Sequence, residues 1–281
     1  MPIIPRKTGF GLVGALLLAS LPPALAQQNA PDPAWNDIKA SLYEGRFLAS
    51  SEAVIRIDAP YRTDNDARTL VTVDVTAPAE RSIVGVALIL DNNPMPVSAD
   101  LKFAAPQAMF DFTATMRING PTPVHAVAEL DNGQLFVAET FVKTSGLGAC
   151  SAPPGTDPKE ALQTLGQMEM ALKTRPDTRA LVASVTSHTP NAPDLEIAVS
   201  HPSHSGMQMD QISLLYIPAR FIDTLELDVN GAPFATMTGS ISLSENPTLT
   251  FSVPNGTSRA KARLTDTDGA VSEVEQEFAD Y

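Results

Sequence analysis

The stretch "GLGACSAPPG", residues 146–155, holds the only cysteine of the 281-residue chain. A thiol reacts as its thiolate, whose ordinary pKa is about 8.5, and this segment supplies no adjacent cation to lower it. Free cysteine is among the most buried residue types, so a small apolar filler is the plainest reading of Cys150. The setting opposes that reading, because Gly146, Gly148, Pro153, Pro154 and Gly155 punctuate loops rather than cores. One cysteine cannot close an internal disulfide, which leaves inert burial, pairing with another molecule, or a reactive thiol. The composition predicts an accessible sulfur on a movable arm, with Gly146 and Gly148 allowing it to bend.

Other chemistry is thinly represented. His201-Pro202-Ser203-His204 puts two imidazoles three apart, with thioethers at Met207 and Met209, but a copper or zinc site wants more converging ligands. A Cys–His catalytic pair could draw on His125, His188, His201 or His204, and nothing local singles one out. Asp64 and Asp66 fit a solvated loop. Asn255-Gly256-Thr257 matches a glycosylation sequon and reads more simply as a turn. There is no phosphate loop, dinucleotide fingerprint or nucleophile elbow. No catalytic site, cofactor or metal is expected.

Residues 1–26, MPIIPRKTGFGLVGALLLASLPPALA, combine a basic start (Arg6, Lys7), an apolar run from Gly9 to Leu21 and an Ala-Leu-Ala cleavage site. This predicts a secretory signal cut after Ala26 and export to a bacterial periplasm. The run is too short for a membrane span, and no second one is long enough. An exported chain meets an oxidising compartment, which makes a single unpaired thiol notable. The formal charge is −13, more acidic still once Arg6 and Lys7 leave. That argues against nucleic acid as a partner, favours solubility and could steer the chain toward a basic protein.

The elements that must position Cys150 read as strands. Asp32-Pro33 starts a short helix, with Trp35, Ile38 and Leu42 on one face and Gly45 ending it. "AVIRI", "TLVTVDV", "IVGVALIL", "AMFDFTATM", "VHAVAEL" and "LFVAETFV" follow, several with the period-two alternation of half-buried strands, and Asn132-Gly133 marks a hairpin. The second half repeats the style with "ALVASVTS", "DLEIAVS", "FIDTLELDV", "PTLTFSV", "RAKARLTD" and "AVSEVEQEF". It also repeats particular marks: "ALILDNNPMP" resembles "LELDVNGAPF", and "AELDNGQLFVAETFV" resembles "RLTDTDGAVSEVEQEF". The fold expected is all-β, with two immunoglobulin-like sandwiches. Between them, Asp157-Pro158-Lys159-Glu160 has the form of a helix start, and Leu162, Leu165, Met168 and Leu172 form a stripe at helical spacing. Met168 and Met170 read as packing rather than as copper ligands. The expected organisation is a signal over 1–26, a first sandwich over 32–145, a Cys-bearing arm and linker helix over 146–178, and a second sandwich over 179–281.

The first half, ending "VHAVAELDNGQLFVAETFVKTSGLGAC", resembles the SoxY sulfur carriers, whose last strand leads into a Gly-rich arm bearing one Cys. The second half resembles their partner subunit SoxZ at His201-Pro202, Gly206, Ile217-Pro218-Ala219, Phe221-Ile222, Asn230-Gly231, Asn246-Pro247, Phe251, Asp268 and Gly269. The whole resembles the fused SoxYZ-like carriers associated with quinoprotein dehydrogenases. The resemblance implies that Cys150 covalently holds a sulfur-containing, thiosulfate-type substrate and presents it to periplasmic oxidoreductases, either Sox-type or of a quinoprotein dehydrogenase system. It implies a carrier rather than an enzyme, with the two halves packed together. The rival expectation is a non-covalent adaptor of such a dehydrogenase. One departure stands out: SoxY carries its Cys beside the C-terminus, whereas here the chain continues. Four residues from Gly146 to Cys150 reach at most ~13–14 Å, so the arm can enter a partner only as a bent loop.

Overall fold

The computed structural model describes residues 33–146, 148–173 and 192–278. The first half begins with helix α1 (Pro33–Tyr43), followed by strands β1 (Leu48–Ser50), β2 (Ile55–Asp58), β3 (Thr69–Thr76) and β4 (Ile83–Leu90). It continues with β5 (Val97–Gln107), β6 (Met109–Met116), β7 (Thr122–Leu130) and β8 (Leu135–Val142). The second half comprises α2 (Pro158–Ala161), β9 (Met168–Lys173), β10 (Asp194–Val199), β11 (Ile222–Val229) and β12 (Ala232–Thr238). It ends with β13 (Thr248–Ser252), β14 (Arg259–Asp266) and β15 (Val271–Glu277). The protein is all-β, as its alternating runs predict, and Asn132-Gly133 turns the β7–β8 hairpin with Gly133 at φ +80°. Two readings from the sequence, the leader over 1–26 and the strand "ALVASVTS", lie outside the described residues, as does His188.

The immunoglobulin-like halves share their sheets. One sheet runs β1-β8-β7-β4-β5-β12-β11-β14-β15, and the other runs β2-β3-β6-β13-β10-β9. Antiparallel pairs at the centre of each join the halves: β5 to β12 with Leu101 opposite Met237, and β6 to β13 with Phe112 opposite Phe251. Outward from that seam β4 matches β11, β7 matches β14, β3 matches β10 and β2 matches β9. The repeated sequence marks are therefore the two corresponding pairs of hairpins, β4–β5 with β11–β12 and β7–β8 with β14–β15. One apolar core runs through both halves. At the seam the Phe112 and Phe251 rings are 5.4 Å apart, and Phe103 and Phe110 meet Phe234 at 6.2 and 6.4 Å.

The expected linker helix is present but far shorter than its apolar stripe predicts. Asp157 does cap a helix, its carboxylate accepting from the Lys159 and Glu160 amides at 2.9 and 3.3 Å, but that helix stops at Ala161. Met168–Lys173 is an edge strand instead, pairing β10 with Met170 opposite Ile197. Met168 and Met170 are buried while Glu169 and Ala171 are exposed, which is strand alternation. Gly166 interrupts the helical stripe: its φ of +77° lies outside the helical region, and Ser272 Oγ of β15, 1.9 Å from where a Cβ would sit, keeps the position a glycine. The second half thus reaches back to Met168, within the segment expected to be linker.

Candidate functional site

The chain leaving β8 is tied down before it reaches the thiol. Ser145 donates its amide to both oxygens of Asp66, at 3.1 and 2.9 Å, and its hydroxyl to the same carboxylate. Gly146 and Gly148 then take φ +81° and +72°, the left-handed conformations that suit glycine. The Gly148 carbonyl accepts from the amides of Ser151 and Ala152 at 3.0 and 3.2 Å, closing a tight turn that directs Cys150 inward. Cys150 is 0% exposed. This corrects the expectation of an accessible sulfur: the arm is a loop, as its glycines and prolines indicate, but a covered one.

The cover comes from segments remote in sequence. Asn119, in the β6–β7 loop, accepts the Cys150 amide on Oδ1 at 3.0 Å. Ser205, from the β10–β11 loop of the second half, donates its hydroxyl to the Cys150 carbonyl. Gln208 Nε2 donates to the Ala152 carbonyl at 3.1 Å, and Glu245 accepts the Gly155 amide at 2.8 Å. Behind Asn119 stands buried Asn93, which accepts the Asn119 amide at 2.9 Å and donates to the Arg117 carbonyl and to Ser242 Oγ, both at 2.8 Å. Side chains of both halves thus satisfy the backbone that a buried loop would otherwise strand.

Arg117 sets the electrostatics. It is 2% exposed, and Nη1 donates to the carbonyls of Ser203 and Ile241 at 2.9 and 2.8 Å. Burial pulls its guanidinium below the usual value, against the opposing pull of Cys150 and Glu245. Burial pushes the Cys150 thiol up, and Arg117 works against that push. The sequence segment offers no cation, but the fold brings one from 33 positions away in the numbering, between residues 117 and 150. The net direction leaves Cys150 a neutral thiol at neutral pH, shielded and unreactive while the loop is closed.

The histidines do other work. His201 Nδ1 accepts the Ser203 amide at 3.0 Å, and Nε2 lies 3.6 Å from Asp266, so the ring shapes the loop that carries Ser205. His204 is also buried, and its Nε2 has no hydrogen-bond partner. His125 sits elsewhere, under α1, with Nδ1 2.9 Å from Asp91 and its ring stacked 3.7 Å from Trp35. Among the described residues no three His, Cys, Asp or Glu converge as metal ligands. Just beyond Gln208, Ile212, Leu214, Leu215 and Tyr216 are exposed together.

Asn93, Arg117, Asn119, Ser205, Gln208 and Glu245 were not singled out by the sequence. The only signals were indirect: Asn93 lies in the "DNNP" turn, and Ser205 and Gln208 follow the two histidines read as weak metal ligands.

Comparison with known proteins fits this two-part construction. The family model for sulfur oxidation protein SoxY matches residues 39–150, and that for sulphur oxidation protein SoxZ matches residues 186–277. No curated protein matches the chain. Among solved structures, the sulfur carrier protein SoxY from Chlorobium limicola f thiosulfatophilum is 23% identical, over 40% of this chain and 96% of that one, with a TM-score of 0.35. A superoxide reductase (neelaredoxin) from Ignicoccus hospitalis is 18% identical, over 35% of this chain and 95% of that one, with a TM-score of 0.29. Neither structural likeness is close enough to bear on function.

Proposed function

Because the chain belongs to the SoxY and SoxZ families, carrying a domain of each in tandem, we propose that it is a periplasmic sulfur carrier whose Cys150 holds a thiosulfate-type cargo for partner oxidoreductases. The observation that carries this reading is the place of Cys150: it is the last residue of the SoxY match, and the SoxZ-like half covers it. In the loading step the Cys150 sulfur bonds the outer sulfur of thiosulfate, giving Cys–S–S–SO3−. The thiol proton goes to solvent, and two electrons pass to an acceptor supplied by the oxidoreductase partner. No catalytic role falls to the carrier itself. Its residues keep the thiol neutral and covered until residues 148–155 swing away from Asn119, Ser205, Gln208 and Glu245.

Burial of the thiol favours one other reading, a non-covalent adaptor in which Cys150 is only a packed side chain. Intact mass separates the two. After incubation of the protein with thiosulfate and ferricyanide, the carrier gains one thiosulfate-derived adduct that a reductant removes and that Cys150→Ser never forms. An unmodified wild-type mass, with partner binding equal in wild type and Cys150→Ser, supports the adaptor.

A further inference from the structure

Arg117 is the only Lys or Arg among the described residues that is buried. It makes no ion pair within 4 Å with a described carboxylate; Glu245 acts on it only at longer range. A buried cation is costly unless hydrogen-bonded and paired; the Ser203 and Ile241 carbonyls supply hydrogen bonds, and among the described residues no carboxylate at contact distance supplies the opposite charge. Its position beside the thiol follows from two short loops. Residues 117–119 supply the guanidinium and the Asn119 oxygen that holds the Cys150 amide. Residues 203–205 supply the carbonyl that accepts from Arg117 and the hydroxyl that holds the Cys150 carbonyl. Guanidinium and thiol segment therefore lie side by side between the same two loops. The second loop also carries His204, 5% exposed, whose Nε2 is unpartnered.

We propose that Arg117, assisted by His204, is an anion subsite that reads the charge of the group carried on Cys150 and favours a sulfonate-ended adduct over an uncharged one. This rests on Cys150 being the loaded thiol. The empty thiol is neutral and leaves the guanidinium only the longer-range charge of Glu245, whereas a thiosulfonate supplies three acceptor oxygens and a full negative charge, the partner suited to a guanidinium. Reseating such an adduct requires the 148–155 turn to widen, and Gly146 and Gly148 are placed to absorb that change.

The test uses the full chain loaded chemically, without any partner enzyme. Tetrathionate is attacked by the Cys150 thiolate at a central sulfur, so that one S–S bond breaks, thiosulfate leaves, and Cys–S–S–SO3− remains. Bis(2-hydroxyethyl) disulfide reacts likewise, releasing mercaptoethanol and leaving an uncharged adduct. Both adducts are formed in urea, the protein is refolded, and removal of each by a neutral phosphine is timed by intact mass. The quantity read is the protection of each adduct, its removal rate in urea divided by that after refolding. We expect protection of the anionic adduct to exceed that of the neutral one by tenfold or more in wild type. Arg117→Met should bring the two together, and Arg117→Lys, which keeps the charge without the planar fork, should fall between. Equal protection of both adducts in refolded wild type overturns the subsite, and that comparison needs no variant to fold. Equal preference in wild type and folded Arg117→Met overturns it too. A charge preference in a protein that never loads from thiosulfate would retain the subsite and sink the carrier.

Discussion

Phe112→Ala is expected to lower the stability of the chain by about 3–5 kcal/mol, the range for truncating a fully buried aromatic side chain. Phe112 is 0% exposed and lies on β6, opposite Phe251 of β13, so the cavity opens on the strand pair that joins the halves. Little can collapse into it. Val73 and Ala114 are also fully buried, and the backbone on both sides is fixed by ladder hydrogen bonds to β3 and β13. Because the core is continuous, the loss should appear as one cooperative transition at lower urea, with the slope unchanged. A loss below about 1 kcal/mol would contradict the tight packing around Phe112, and two separate transitions of which only one moves would show that the halves are not one folding unit.

Acidification should destabilise the protein from about pH 6.5 downward, before ordinary carboxylates titrate. The source is His201, held down to about 4 chiefly by burial, with Asp266 opposing the shift. Between those values the unfolded chain binds a proton that the folded chain refuses, so stability rises with pH across that window. The contribution is fully present above about pH 6.5 and is lost as pH falls toward the folded value, amounting to about 3 kcal/mol. His204 is lowered by burial and adds in the same direction. Asp266, lowered by its hydrogen bonds to Arg220 and Ala270 against burial, deepens the loss at still lower pH. The melting temperature followed from pH 7 to pH 4 reads this directly. His201→Asn, whose side-chain oxygen can still accept the Ser203 amide, should flatten most of the slope. A wild-type melting temperature constant across that range would contradict the assignment.

Local chemistry made much of the fold legible. Asn132-Gly133, the period-two runs and the Asp157-Pro158 helix start act over a few residues, and among the described residues each marks an element where the structure has one. The paired marks announced two equivalent halves, though not that β5 and β12 would fuse them into common sheets. The misread helix has a simple cause. Met168 and Leu172 are four apart, while Met168, Met170 and Leu172 are two apart, so one apolar set satisfies both periods; the positive φ of Gly166 decides between them. The site was hidden for a different reason. Cys150 is held by Asn119 and Ser205, 31 and 55 positions away, and no local pattern reveals a contact made by two loops from different halves. Arg117 directly follows β6 and gains meaning only once it is buried against the Ser203 and Ile241 carbonyls of the second half.

A carrier role requires Cys150 to be loaded and unloaded in use, although it is covered at rest. The most direct measurement is the mass of the Cys150 peptide from the full chain recovered out of cells oxidising thiosulfate, with free thiols blocked by alkylation at the moment of acid quench. The predicted result is a fraction of Cys150 bearing added sulfur, removable by a reductant and increased when onward oxidation is blocked. Recovery of Cys150 only as the alkylated thiol under every condition, in cells actively turning over thiosulfate, would contradict it.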